Sequence, residues 1–166
     1  MIEEVILVDE FDNSIGAMEK LEAHQKGALH RAFSIFVFNK QGELLIQRRA
    51  LNKYHSAGLW SNTCCSHPRP NEKTLDAAKR RLKEEMGIET ELIYKSHFIY
   101  KAKFENNLTE FEYDHIFTGI YSKLPEINPE EADDFDWISI TDLKEKIKIN
   151  PEIFTVWFKI AIEKLS

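Results

Sequence analysis

The sequence predicts an α/β (α+β) fold in which a mixed β-sheet is sandwiched by α-helices. Three observations predict it. Apolar runs of strand length flank one clear helical segment, Lys73 to Met86. A second apolar helical segment runs from Asn150-Pro151 to Leu165, and turn residues separate the runs. Strands interrupted by a central helix and closed by a C-terminal one bury their apolar faces by packing those helices on the sheet.

In chain order, Val5-Ile6-Leu7-Val8 reads as a short strand ending at Asp9. Ala32 to Phe38 is a buried strand, and Asn39-Lys40-Gln41-Gly42 turns it into a second, Glu43 to Arg49, as a hairpin. Within the central helix Leu75, Ala78, Leu82 and Met86 recur at helical spacing, and Gly87 is the stop. Strands follow around Lys95–Phe104 and Glu110–Tyr121, joined by a turn at Glu105-Asn106-Asn107. Lys123–Glu131, with two prolines, is a loop. Phe135 to Ile138 is a short strand, Thr141 caps a brief helix, and Asn150 before Pro151 starts the last one. No repeat, low-complexity tract or Gly/Ser linker interrupts the pattern, so residues 1–166 are expected to form one domain.

The 166 residues are 43% hydrophobic and 30% charged, enough for a core that needs no staple. A metal site in this chain therefore need not be there to hold the fold. The net charge of -6 disfavours a nucleic-acid partner, yet leaves room for a local cationic pocket that binds phosphate. No apolar run reaches the roughly 18 to 20 residues of a membrane span, and Met1-Ile2-Glu3-Glu4 is not the basic start of a signal peptide. The only cysteines, Cys64 and Cys65, are neighbours and poorly placed to bridge each other, so a reducing cytoplasm is the simplest location.

Chemistry concentrates in a few places. His24 and His30 flank a glycine-containing bend before the first core strand, and His67 follows Cys65 in Thr63-Cys64-Cys65-Ser66-His67-Pro68. Strand alternation puts Glu110 and Glu112 on one face, with Phe111 and Tyr113 on the other. Two carboxylates on one face repel unless a cation, a shared proton or solvent separates them. The same parity places Cys65 with His67 and turns Cys64 away as a small core residue. Three histidines and two glutamates can form a nitrogen/oxygen site for a first-row divalent ion if the fold brings them together. A solvated Glu-x-Glu strand face and ordinary surface or core histidines are the competing readings. His55, His97 and His115 match no pattern and read as structural.

From Ser66, the stretch through Glu72 and Arg80-Arg81-Leu82-Lys83-Glu84-Glu85-Met86-Gly87-Ile88 resembles a Nudix box, G-x5-E-x7-R-E-U-x-E-E-x-G-U. Ser66 replaces the leading glycine, and Arg81 replaces a glutamate that helps hold magnesium in Nudix hydrolases. The remaining match is to type 1 isopentenyl-diphosphate isomerases. It runs through Glu19-Lys20, Ala23-His24, Leu29 to Ser34, Gln47 to Ala50, Gly58 to Pro68, Tyr100, the Glu110/Glu112 pair and Trp157.

The resemblance implies a Nudix-like fold and interconversion of isopentenyl and dimethylallyl diphosphate by protonation and deprotonation. It implies a divalent ion, Mn2+ or Zn2+, held by His24, His30, His67, Glu110 and Glu112. It also implies Mg2+ bound with the substrate diphosphate through Glu85. Lys20, Arg49, Lys53 and Arg81 match diphosphate-gripping cations, with Ser66 a further substrate contact. Cys65 and Glu112 match an acid/base pair, with Tyr100 relaying or orienting a proton and Trp157 facing the cationic centre. The implied partner is a small prenyl diphosphate, without nucleic acid or membrane, for a monomer or weak homodimer. The rivals are a Nudix hydrolase of a diphosphate substrate, for which Arg81 is a poor fit, and a catalytically silent metal- or prenyl-diphosphate-binding module.

Overall fold

The computed structural model describes residues 2–165. Nine strands join one sheet: β1 (Glu4–Val8), β2 (Ser14–Glu19), β3 (His30–Phe38), β4 (Leu44–Arg49), β5 (Trp60–Ser61), β6 (Cys64–Ser66), β7 (Ile93–Lys103), β8 (Thr109–Ile120) and β9 (Ala132–Ile138). The helices are α1 (Lys20–Lys26), α2 (Thr74–Met86), α3 (Ile140–Ile149) and α4 (Val156–Lys164). Most pairings are antiparallel, but β3 lies parallel to β8, which makes the sheet mixed as expected.

Alternation along the central strands divides the core into two layers. Phe33, Ile35 and Val37 of β3 pack with Leu45, Cys64 and Phe117 under α2, against Ala77, Ala78, Leu82 and Met86. Phe36, Leu44, Ile46 and Ile116 point the other way, against Leu143 of α3 and Trp157, Phe158 and Ala161 of α4. The α2 stripe differs from the sequence reading at one residue: Leu75 is exposed and Ala77 takes the buried position. Gly87 ends α2 at φ 64, and a Cβ there would lie 2.7 Å from Glu126 Cβ, so both conformation and space demand glycine.

The last helix starts later than Asn150-Pro151. Pro151–Ile153 forms a 3-10 turn, and Phe154, buried, bridges to Trp60 while the Thr155 amide donates to the Trp60 carbonyl. That extended step uses the residues that would otherwise be the first turn, so α4 begins at Val156. Ser139, not Thr141, caps α3, its hydroxyl accepting from the Asp142 amide at 3.1 Å. The α1 helix and β2 have no counterpart in the sequence reading. The Glu19 carboxylate caps α1 by accepting from the Leu21 and Glu22 amides, and Gly27 closes it at φ 64. None of the described helices is long and apolar enough to cross a membrane.

Candidate active site

The sheet register assembles the site on the face toward α4. In the parallel β3–β8 pair, His30 stands opposite Glu112, and Ser34 is in line with Cys65 of β6. Tyr100 and Ala102 of β7 stand opposite Glu112 and Glu110. Partners across a ladder share a face, so these pairings gather His30, Ser34, Cys65, Tyr100, Glu110 and Glu112. Cys64 points into the layer beneath α2. His24 arrives from α1, and His67 from the loop that leaves β6.

Four buried donor groups meet there: one nitrogen each from His24, His30 and His67 and one oxygen of Glu112 lie within 4.8 Å of one another. A second group of His24, His55 and Glu110 shares His24 with the first. The ring orientations test whether a metal ion fits. His24 Nδ1 lies 2.7 Å from the Lys20 carbonyl and His30 Nδ1 lies 2.8 Å from the Ala28 carbonyl. A carbonyl only accepts, so Nδ1 carries the proton in both neutral rings and Nε2 presents a bare lone pair inward. His24 Nε2 is buried without a hydrogen-bond partner, and His30 Nε2 faces another acceptor, Glu112 Oε2, at 3.1 Å. Two acceptors at that distance repel unless a cation or a proton lies between them. Backbone-fixed imidazoles aimed inward beside a carboxylate pair are a donor set that suits a divalent metal ion.

Electrostatics agree with that reading. Burial and the neighbouring Glu112 push the Glu110 carboxyl up, but the His24 and His55 imidazoles outweigh them and hold it down to about 2. Burial opposes charge on Glu112 too, yet His30 and His67 pull it well below the usual carboxylate range. Burial depresses His67 to about 4, against the pull of Glu112, 2.8 Å away. The Tyr100 hydroxyl donates to Glu110 Oε1 and lies 3.1 Å from Glu112 Oε1; burial and both carboxylates keep it protonated. Burial pushes the Cys65 thiol up, and Arg49 is the neighbour that eases its ionisation.

The opposite wall is cationic. Arg81 and Glu85, one turn apart on α2, meet at 2.9 Å, and Gln47 Nε2 donates to Glu85 Oε1 at 3.3 Å. Glu131 accepts from Lys53 at 2.7 Å and forms an ion pair with Arg81 at 3.2 Å. The Arg49 guanidinium carbon lies 5.1 Å from the Trp157 ring centre, and its Nε has no partner. A cavity with about 530 Å³ of empty space, counting its open mouth, joins the two walls.

Of the expected residues, Lys20, Arg49, Lys53, Cys65, Ser66, His67, Arg81, Glu85, Glu110, Glu112 and Trp157 line that cavity. His24, His30 and Tyr100 lie beneath its floor in contact with the two glutamates. His97 and His115 stay outside: one stacks on Tyr113 and the other pairs with Asp12.

Five residues that line the cavity were missed in the sequence: Phe33, Tyr54, His55, Asp114 and Glu131. His55 sits 2.9 Å from Glu110, Glu131 bridges Lys53 and Arg81, and Asp114 is buried beside Glu112. Burial and Glu112 raise the Asp114 carboxyl well above its usual range, and it accepts from the Ser34 hydroxyl at 2.9 Å. Asp114 was legible, because it continues the alternation of Glu110 and Glu112. His55 and Glu131 come from loops and carried no periodic signal.

Residues 28–158 match the NUDIX domain family model. The chain is 52% identical to Isopentenyl-diphosphate Delta-isomerase 2 of Aromatoleum aromaticum, across 99% of this chain and 87% of that protein. It is 53% identical to the protein of the same name in Photorhabdus laumondii, across 100% of this chain and 94% of the other. A Deinococcus radiodurans crystal structure superposes with a TM-score of 0.82 at 17% identity, covering 98% and 99% of the two chains, a likeness of fold alone. Both relatives carry the numeral 2 in their names, so the type 1 label expected from the sequence is withdrawn; the assignment rests on the fold and on likeness along the whole chain.

Proposed function

We propose how the site works on one premise: the chain belongs to the isopentenyl-diphosphate Delta-isomerases built on a NUDIX domain, and it interconverts isopentenyl and dimethylallyl diphosphate. The observation that carries the mechanism is that Cys65, Glu112 and Trp157 line the same cavity as a cluster of cations. In our reading Lys20, Arg49, Lys53 and Arg81 hold the diphosphate, with Ser66 at its edge. Glu85 would hold a magnesium ion. The imidazoles of His24, His30 and His67 with Glu110 and Glu112 hold a second ion, Mn2+ or Zn2+. When bound, these ions supply positive charge that neutralises the diphosphate and lets two buried carboxylates stand side by side.

The reaction adds a proton to an alkene carbon and removes one from another, through a tertiary cation-like state. An alkene is a weak base, so the donor must be held close and water kept out. We place the donor on the Glu112/Tyr100 side, where the hydroxyl sits between two carboxylates, and the acceptor at Cys65, as thiolate. The departing proton leaves on sulfur as the double bond re-forms, and Arg49 stabilises the thiolate beforehand. Trp157 turns its ring toward the cation-like carbon, a contribution of about 2 kcal/mol when desolvated. Arg81 stands where a hydrolase would carry a carboxylate for metal, which argues for gripping the diphosphate over cleaving it. Free thiols at Cys64 and Cys65 suit a reducing cytoplasm, and the cavity suits a small molecule met by a monomer or weak homodimer.

Proton NMR of isopentenyl diphosphate with the protein, Mg2+ and Mn2+ or Zn2+ in deuterium oxide tests this. Dimethylallyl diphosphate carrying deuterium in its carbon skeleton, with no free phosphate, is the expected result. Phosphate release would replace the isomerase with a hydrolase, and unchanged substrate would leave a binding module.

A further inference from the structure

We infer that His55 is a positioning residue of the metal centre, donating its Nε2–H to Glu110 and fixing that carboxylate against the aromatic wall. The inference rests on the metal reading above. His55 lies in the loop between β4 and β5 and is only 8% exposed, with Nε2 2.9 Å from Glu110 Oε2. Its outer nitrogen distinguishes it from His24 and His30, two of the three histidines read as ligands. His24 and His30 turn Nδ1 to backbone carbonyls, which forces the proton outward and leaves Nε2 bare. His55 Nδ1 instead faces the Ser56 hydroxyl at 3.1 Å, and a hydroxyl can give its proton. Nδ1 then accepts, Nε2 carries the hydrogen, and the short contact with Glu110 is a donor–acceptor pair.

Glu110 is thereby held from two directions: Tyr100 donates to Oε1, and His55 Nε2 stands 2.9 Å from Oε2. His24 Nε2, 3.5 Å from Oε2, marks the side on which a cation would sit. The His55 ring has little room to swing. It stacks on Phe104 with centres 4.5 Å apart and planes 9° apart, and meets Trp157 edge-on at 5.8 Å and Tyr54 edge-on at 4.6 Å. The Arg49 guanidinium donates to its backbone carbonyl at 3.2 Å. One residue thus ties a carboxylate of the metal centre to the tryptophan and arginine of the substrate side. Outer partners of this kind set ligand orientation, and losing one costs metal affinity about 10–100-fold.

The experiment measures Co2+ affinity by chelator competition, together with the visible Co2+ spectrum. The samples are the full chain, its His55→Ala, His55→Gln and His55→Phe variants, and His24→Ala, each first checked for folding by apo-protein thermal unfolding. His55→Ala should bind Co2+ about 10–100-fold more weakly. His55→Gln, which keeps an N–H donor, should recover most of that with an unchanged spectrum, and His55→Phe, which keeps only the volume, should not. Wild-type affinity in His55→Ala overturns the proposal, and recovery in His55→Phe reduces His55 to packing. Loss in His55→Gln equal to that in His55→Ala, with a spectrum lacking one nitrogen ligand, would make it a ligand instead and also overturns it. Wild-type affinity in His24→Ala overturns the metal reading itself, separately from His55.

Discussion

The two faces of the sheet share strands yet bury different chemistry. Under α2, β3 contributes Phe33, Ile35 and Val37, and the layer they join is apolar almost throughout. Toward α4, the same strand contributes His30 and Ser34, and its neighbours add Cys65, Glu110, Glu112 and Asp114. Buried polar groups are costly unless paired, so the α4 face binds its carboxylates to imidazoles, a phenol and a hydroxyl. The α2 face needs none of this and supplies stability by area. A two-residue period lets one strand serve both ends, and Cys64 and Cys65 show it at adjacent positions.

The sharpest break of the comparison exchanges nothing but that parity. Cys65→Ala should lower turnover by about 10²–10⁴-fold, the usual worth of a positioned acid or base, with little change in stability. Glu112→Gln should act likewise. Cys64→Ala, which trims a fully buried side chain from the α2 layer, should leave turnover near wild type and cost about 1 kcal/mol. Steady-state rates and denaturant melts on the purified variants check both. A fully active Cys65→Ala protein would sink its assignment.

The converse substitution attacks stability alone. Leu82, on the buried face of α2, packs with Phe33, Ile35 and Met86. Leu82→Ala should cost about 2–5 kcal/mol, while kcat of the folded fraction stays within about twofold of wild type. A large fall in kcat at full folding would mean that the α2 layer positions the site as well as supporting it.

Metal removal sharpens the other side. An ion that binds only the folded chain, present at about a hundred times its Kd, adds about 2.7 kcal/mol. For a chain of this length that corresponds to about 5–11 °C in Tm. Stripping the protein with a chelator should lower Tm by that amount and abolish turnover, and Mn2+ or Zn2+ should restore both. His30→Ala should be insensitive to the chelator, because the site is already broken. Leu82→Ala, destabilised in the opposite layer, should keep the full metal response.

The α2 layer and the central strands were legible because apolar periodicity reports directly on burial: Ala32–Phe38, Lys73–Met86 and Glu110–Tyr121 all stand close to where the pattern put them. What periodicity does not report was lost. β2 is largely exposed, and α1 is a seven-residue helix held by a glutamate cap and a glycine stop, so neither presents an apolar stripe. In the site, Glu110, Glu112 and Cys65 were readable from strand parity, and the cations and histidines from a family pattern. His55 and Glu131 were not, because a loop residue earns its role from what lies across space. His55 meets Glu110 over a span of chain in which no regular spacing links them.

The smallest effect concerns an ion pair at the rim of the α2 layer. Arg80 Nε and Nη2 each donate to Glu72 at 2.9 Å, and Glu72 also accepts from the Arg69 amide at 2.9 Å. The hydrogen bond with Arg80 outweighs partial burial and lowers the Glu72 carboxyl from its ordinary 4.5. A carboxyl lowered on folding is ionised in the native chain at pH values where the unfolded chain has already taken up a proton. Its stabilisation is therefore present above about pH 4.5 and fades as pH falls through the lower folded value. Glu72→Gln should cost about 1 kcal/mol at pH 7, since the pair is still partly solvated, and the difference from wild type should narrow as the pH is lowered below 4.5. Denaturant melts at several pH values read this directly. Because the pair lies on the α2 side, kcat at pH 7 should not move with it. A drop in kcat exceeding the stability loss would show that the helix carrying Arg81 and Glu85 is aligned from its solvent edge, and the division of labour between the two faces would then have to be redrawn at α2.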